Sequence, residues 1–148
     1  MRVSTKGRYG LKALVDVTIN EKEGCVSLVN IANRNQISLP YLEHVFASLK
    51  KAGIVRSIKG PQGGYMLEES PDKITISSIL TALDGDYRVA NEQPEDAQVS
   101  VYVSKAIDSL IWEPVNKSLS EILENTTLKD LTDEYIRVSQ SDQIMYYI

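Results

Sequence analysis

The spacing of apolar residues changes period at Gly53, and that switch restricts the fold more than any bulk property of the chain. Before it, three segments repeat apolar residues at helical intervals. Ser4 and Thr5 precede the first, which carries Tyr9, Leu11, Ala13, Leu14, Val15 and Val17 and stops at Glu23-Gly24. Ser27 precedes a second, short segment with Leu28, Ile31 and Ala32 facing inward, and Asn33 to Gln36 reads as the polar turn after it. Ser38 precedes the third, where Leu42, Val45, Phe46 and Leu49 fall at i, i+3, i+4 and i+7, with Pro40 in the first turn and Gly53 as the stop. Beyond Gly53 the period is two: Ile54 to Lys59 and Tyr65 to Glu68 flank Gly60-Pro61-Gln62-Gly63-Gly64, which predicts a β-hairpin. Three helices followed by a hairpin is the order of a winged helix-turn-helix, mainly α with a small β wing, in which helices two and three form the DNA-reading pair.

The rest of the chain reads differently. Thr75 to Leu83 predicts a short helix, and Asp84 to Gln98, with Gly85 and Pro94, an acidic loop. A long helix follows, with Val103, Ile107, Leu110, Ile111, Leu119, Ile122 and Leu123 along one stripe and Pro114 expected to kink or restart it. The stripe is broader than a solvent-facing helix needs, which suggests a dimer contact; packing on its own domain is the alternative. Thr127 to Leu131 reads as one further helical turn, and polar Ser139 to Gln143 lead to an apolar free end, Met145-Tyr146-Tyr147-Ile148. The expected organisation is therefore a winged helix-turn-helix over 1–83, an acidic loop over 84–98, and a dimerisation helix with a C-terminal tail over 99–148.

Charge separates the same halves. Residues 1–65 hold ten Lys and Arg against four Asp and Glu, and residues 66–148 hold six against sixteen. A basic half joined to an acidic one suggests a polyanion partner, double-stranded DNA first, although solvated charge alone can be this uneven. With 148 residues, 43% hydrophobic and 24% charged, the composition fits one globular domain with an appended element. No apolar run approaches the roughly 20 residues of a membrane span, the first residues lack an apolar signal core, and the single Cys25 cannot form an intrachain disulfide. A cytoplasmic home is the expectation. One His, one Cys and no phosphate loop or metal-ligand spacing leave no catalytic pair to assemble, so neither an enzyme nor a metal site is expected.

On helix three, the face opposite Leu42 holds Pro40, Glu43, His44, Ala47, Ser48 and Lys51. Ala47 and Ser48 are small enough for close approach to base edges, Glu43 can accept from a cytosine amino group, and His44 can donate to guanine or phosphate. Taken singly, each is equally a solvated surface residue; their weight comes from sharing one face. Arg56 and Lys59 flank a hairpin tip of small residues, where Gly60, Gly63 and Gly64 are expected to supply positive φ and close backbone approach, and Gln62 can reach a minor groove or a phosphate. Ser4, Thr5, Lys6 and Arg8 at the start of helix one suit a phosphate, or simply cap the helix.

Ser4-Thr5-Lys6-Gly7-Arg8-Tyr9-Gly10-Leu11, Leu39-Pro40-Tyr41-Leu42-Glu43 and Ile58-Lys59-Gly60-Pro61-Gln62-Gly63-Gly64-Tyr65 resemble the signature segments of the Rrf-type winged-helix transcription regulators. Trp112 and Leu123-Glu124-Asn125-Thr126-Thr127-Leu128-Lys129-Asp130-Leu131 extend the resemblance over nearly the whole chain. It implies a homodimeric DNA-binding regulator with helix three in the major groove, the wing in the neighbouring minor groove and the long helix at the dimer contact. Ser38 and Tyr41, at the start of helix three, are also expected DNA contacts. Lys59 stands where many members have Arg, which keeps the charge but loses the planar fork. Many members hold a two-iron cluster with three cysteines between the short fourth helix and the long helix; Asp84 to Lys105 contains none, so no cofactor is expected.

Within the family the chain is similar to cluster-free repressors of cysteine metabolism, at the opening block, the Gly24-Cys25 turn, Trp112, Asn125-Thr126-Thr127-Leu128 and Met145-Tyr146-Tyr147-Ile148. That similarity implies a repressor of cysteine and sulfur genes acting with cysteine synthase, into whose active site Tyr146, Tyr147 and Ile148 would insert. A redox-responsive or iron-sulfur-responsive regulator of another regulon is the alternative. Cys25 is then a redox candidate, or equally a small buried hydrophobe.

Overall fold

The computed structural model describes residues 3–89 and 98–146. Helix α1 (Thr5–Asn20) begins where Ser4, in extended conformation, accepts a hydrogen bond from the Gly7 amide at 3.0 Å. A short 3₁₀ turn, Glu21–Glu23, ends it as Gly24 predicts. Helix α2 (Leu28–Asn35) is capped by Ser27, whose hydroxyl accepts from the Asn30 amide. The polar turn expected from Asn33 starts later, at Gln36, which takes a left-handed φ of 54°. Asn33, Arg34 and Asn35 stay helical because Arg34 and Asn35 both donate to the carboxylate of Asp16 in α1, a tertiary tie that one-dimensional spacing does not show.

Helix α3 (Leu39–Lys51) buries Leu42, Val45, Phe46 and Leu49, the four residues whose spacing predicted it. Strands β1 (Val55–Ile58) and β2 (Gly64–Leu67) pair antiparallel, Val55 opposite Leu67 and Ile58 opposite Gly64. Val26 bridges the free edge of β2 through reciprocal backbone bonds with Tyr65, so the hairpin is anchored to the α1–α2 connection. Helix α4 (Ile76–Asp84) follows, capped by Thr75, whose hydroxyl accepts from the Ser78 amide. The architecture is the expected one, mainly helical with a two-stranded wing.

The long helix has three parts. Helix α5 (Gln98–Ile107) passes through a π-helical segment, Asp108–Trp112, into α6 (Glu113–Asn125), with Pro114 in the first turn of α6. Proline has no amide hydrogen and its ring clashes with the carbonyl four residues back, here Leu110, so the backbone widens by one residue per turn just before it. The expected restart therefore takes the form of a π-bulge.

The C-terminal segment differs from the sequence reading. Instead of one turn over Thr127 to Leu131 and a free tail, helix α7 runs from Leu128 to Tyr146, 19 residues. Its start is a capping box: the Asp130 carboxylate accepts from the Thr127 amide and the Thr127 hydroxyl accepts from the Asp130 amide. Leu128, Leu131, Thr132 and Tyr135 then continue the i, i+3, i+4 series, and the polar residues over 139–143 do not break it. The expected partner-binding residue Tyr146 is the last residue of α7 and 94% exposed, whereas Tyr147 and Ile148 lie outside the described residues.

A single core joins both halves. Leu14, Ile31, Leu42, Phe46, Leu49 and Ile79 are fully buried together with Leu128, which enters from the start of α7. The α6–α7 connection is also hydrogen-bonded to the start of α4 and the chain just ahead of it, Ile76 amide to Thr126 carbonyl at 2.9 Å and Leu128 amide to Ile74 carbonyl at 2.8 Å. By contrast, Tyr102, Val103, Leu110, Ile111, Val115 and Ile122 of the long helix stay exposed.

Candidate nucleic-acid interface

Burial of Leu42, Val45, Phe46 and Leu49 turns the other side of α3 outward, and Ser38, Pro40, Glu43, His44, Ala47 and Lys51 are exposed there. Ser48 is half-buried because the Lys6 ammonium of α1 donates to its hydroxyl at 2.8 Å, which joins the start of α1 to the outer face of α3. Ser38 caps α3 by backbone position alone, with no side-chain capping bond. Tyr41 is half-buried and its ring meets Tyr9 edge-on, centroids 5.8 Å apart, so this residue helps fix α3 against α1.

At the start of α1 the structure brings in a residue that the sequence reading assigns to the acidic loop but that closes helix α4. Asp84, at the end of α4, accepts hydrogen bonds from the amide of Ser4 at 3.2 Å and from its hydroxyl. Gly7 permits this approach, since a Cβ there would lie 2.5 Å from the Asp84 carboxylate. The hydroxyl and amide of Ser4, expected to meet a phosphate, are thus held by an internal carboxylate; Thr5 and Arg8 remain exposed beside them and Lys6 half-buried.

The wing presents Arg56, Lys59, Gly60, Pro61 and Gln62 to solvent, with Gly63 half-buried. Of the three glycines expected to carry positive φ, Gly60 alone does, at 115°. Gly63 and Gly64 serve the other expectation, close approach: a Cβ on Gly64 would sit 2.3 Å from the Val26 carbonyl oxygen. The Gly63 amide closes the tip by donating to the Gly60 carbonyl at 2.9 Å. Two side-chain ties hold the wing that sequence reasoning missed. The Cys25 thiol donates to the Gln62 carbonyl at 3.1 Å, and the Lys50 ammonium at the end of α3 donates to the Ser57 hydroxyl at 3.0 Å. No local signal could have paired Cys25 with a residue 37 positions away.

Helix-turn-helix, basic wing and exposed α3 face together form a surface suited to duplex DNA. A family model described as Rrf2, iron-dependent transcriptional regulator, matches residues 3–134. The chain belongs to the Rrf2 family of DNA-binding transcriptional regulators. Among curated Rrf2-type relatives, the transcriptional regulator IscR of Erwinia tasmaniensis is 35% identical over 133 residues, covering 90% of this chain and 79% of that protein. Among solved structures, CymR of B. subtilis, described as the global cysteine regulator, is similar with a TM-score of 0.78 and 36% identity, over 90% of this chain and 98% of that one. IscR of T. potens is similar with a TM-score of 0.70 and 38% identity, over 91% and 88% of the two chains.

The iron in the family description raises the question of a cluster. A cysteine-ligated cluster is held by several thiolates, four in the all-cysteine type, and the sequence has one cysteine, which sits against the wing tip. No group of three or more His, Cys, Asp and Glu side chains among the described residues could hold a metal ion. The donor set does not fit a cluster of that kind. No helix among the described residues is long and apolar enough to cross a membrane.

Proposed function

We propose that this Rrf2-family regulator is a homodimeric repressor of cysteine and sulfur metabolism genes. Helix α3 enters the major groove, the wing enters the neighbouring minor groove, and α5–α6 pairs with a second copy. The observation that carries the regulon is the likeness to CymR over nearly the full length of both chains, together with a single cysteine where a cysteine-ligated cluster needs several. Tyr146, Tyr147 and Ile148 offer cysteine synthase, the partner in this reading, an aromatic segment followed by a branched apolar side chain. A genome-wide binding footprint tests the regulon: sites upstream of cysteine uptake and synthesis genes support it. Deleting Tyr147 and Ile148 is expected to abolish co-purification with cysteine synthase and leave the melting temperature unchanged.

The IscR relatives favour a second reading, control of iron-sulfur genes. Without several thiolates such a regulator would need another sensor, and Cys25 is the one thiol in the chain. A footprint confined to iron-sulfur assembly genes would establish this reading instead.

A further inference from the structure

A cavity of about 680 Å³ opens between α1, α2 and α7, and the DNA-binding surface does not use it. Its size falls in the range of small-molecule sites. Leu11, Val15 and Ile19 of α1 and Leu131 and Tyr135 of α7 give it an apolar wall. The remaining wall is polar. There Asp16, 9% exposed, accepts from Arg34 Nε at 2.9 Å and Nη2 at 2.7 Å, from Asn35 Nδ2 at 2.9 Å and from Asn20 Nδ2 at 3.2 Å. Four donors saturate this carboxylate, so it has little left to offer a cationic ligand. Arg34 is 44% exposed, and its Nη1 has no partner among the described residues. Lys12 adds a second, exposed cation to the same lining, its ammonium lying over the Tyr9 ring 5.3 Å from the centroid. Two cations against one fully engaged carboxylate leave the cavity positive.

We propose that this cavity binds a small amphipathic carboxylate, its hydrocarbon or aromatic body on the α1–α7 wall and its charge on Arg34 and Lys12, and that occupancy weakens DNA binding. The second part rests on the DNA-binding reading. Arg34 is the cation that ties α2, the first helix of the helix-turn-helix, to α1. A ligand carboxylate that takes Nη1 shares the guanidinium with Asp16, pulls it from the geometry in which Nε and Nη2 hold that carboxylate, and so loosens α2, which carries α3 through the Gln36 turn.

Isothermal titration of the full chain with 4-phenylbutyrate, 4-phenylbutanol and 4-phenylbutylamine isolates the charge. The acid is expected to bind at one site per chain, about tenfold tighter than the alcohol, with the amine silent. Lys12→Glu, at an exposed position, should erase the preference for the acid with only the small drop in melting temperature that loss of the contact with Tyr9 brings, and Val15→Trp should fill the cavity and remove binding of acid and alcohol. Equal affinity for all three probes, or acid binding retained in Val15→Trp, overturns the site. So does binding of none, the result if a partner protomer fills the cavity. In fluorescence anisotropy, saturating 4-phenylbutyrate should lower duplex affinity several-fold, and unchanged affinity overturns the regulatory half. A chain that binds the acid but no duplex under any condition supports the site and overturns the DNA-binding reading instead.

Discussion

Asp16 shows how one polar residue can organise a helix pair. It faces inward from the middle of α1, and burial of a carboxylate is tolerated only when its lone pairs are met. Two bonds from Arg34 and one each from Asn35 and Asn20 meet them, and hydrogen bonding to Asp16 is the main reason the Arg34 pKa is raised. Asp16→Ala leaves those donors unmatched but close enough to solvent to rehydrate. A loss of about 2 kcal/mol in urea denaturation is expected, at the lower end for a broken ion pair because Arg34 is part-exposed. Cys25 acts at the same scale. Its thiol reaches the wing through the Gln62 carbonyl, and oxidation by peroxide to a sulfenic acid, with water released, adds an oxygen where there is a 3.1 Å contact. If Cys25 is the proposed redox handle, Cys25→Ser keeps its DNA affinity after peroxide treatment while the parent chain loses it; equal losses in gel-shift titrations assign the sensitivity to another residue.

Among the elements, the wing and α7 make opposite points about what local pattern reveals. The hairpin is legible because alternation and turn glycines are local, and the structure reproduces it within a residue at either end. The proposed role of its exposed Arg56 and Lys59 is contact with phosphate. Arg56→Ala or Lys59→Ala should weaken binding to all duplex sequences alike and reduce the slope of log K against log salt by about one per lost phosphate contact. A changed base preference with an unchanged slope would move these residues to direct base readout. The sequence understates helix α7 because polar Ser139 to Gln143 separate its apolar residues from Met145 and Tyr146. The capping box at Thr127 and Asp130 and the burial of Leu128 nucleate it, and propagation is easier than nucleation.

Across the whole molecule, apolar surface is unevenly covered. The winged half closes around a core that includes Leu128, yet Leu110 is 80% exposed and Tyr102, Val103, Ile111, Val115 and Ile122 accompany it on α5–α6. Large apolar side chains exposed along one helix in this number mark interaction sites in soluble proteins, which supports the proposed pairing of two long helices. If the long helices pair as proposed, Leu110→Glu should give a monomer in sedimentation velocity where the parent chain gives a dimer, with helicity constant, since an unpaired charge would be buried at the contact. Unchanged mass with unchanged helicity would place this face outside the dimer contact.

The sequence by itself determined the order of elements, the buried face of α3, the hairpin and the proline-driven break in the long helix, because each depends on periodicity, caps and backbone restrictions within a few residues. Only the tertiary structure decided that Asp84 caps Ser4, that Cys25 braces the wing, that Arg34 keeps α2 helical to Asn35 and that Leu128 completes the core. The three hydrogen-bonded contacts join residues 18 to 80 positions apart. Side-chain hydrogen bonds at such distances leave no repeat for a linear reading to detect, and they exist only once the helices have packed.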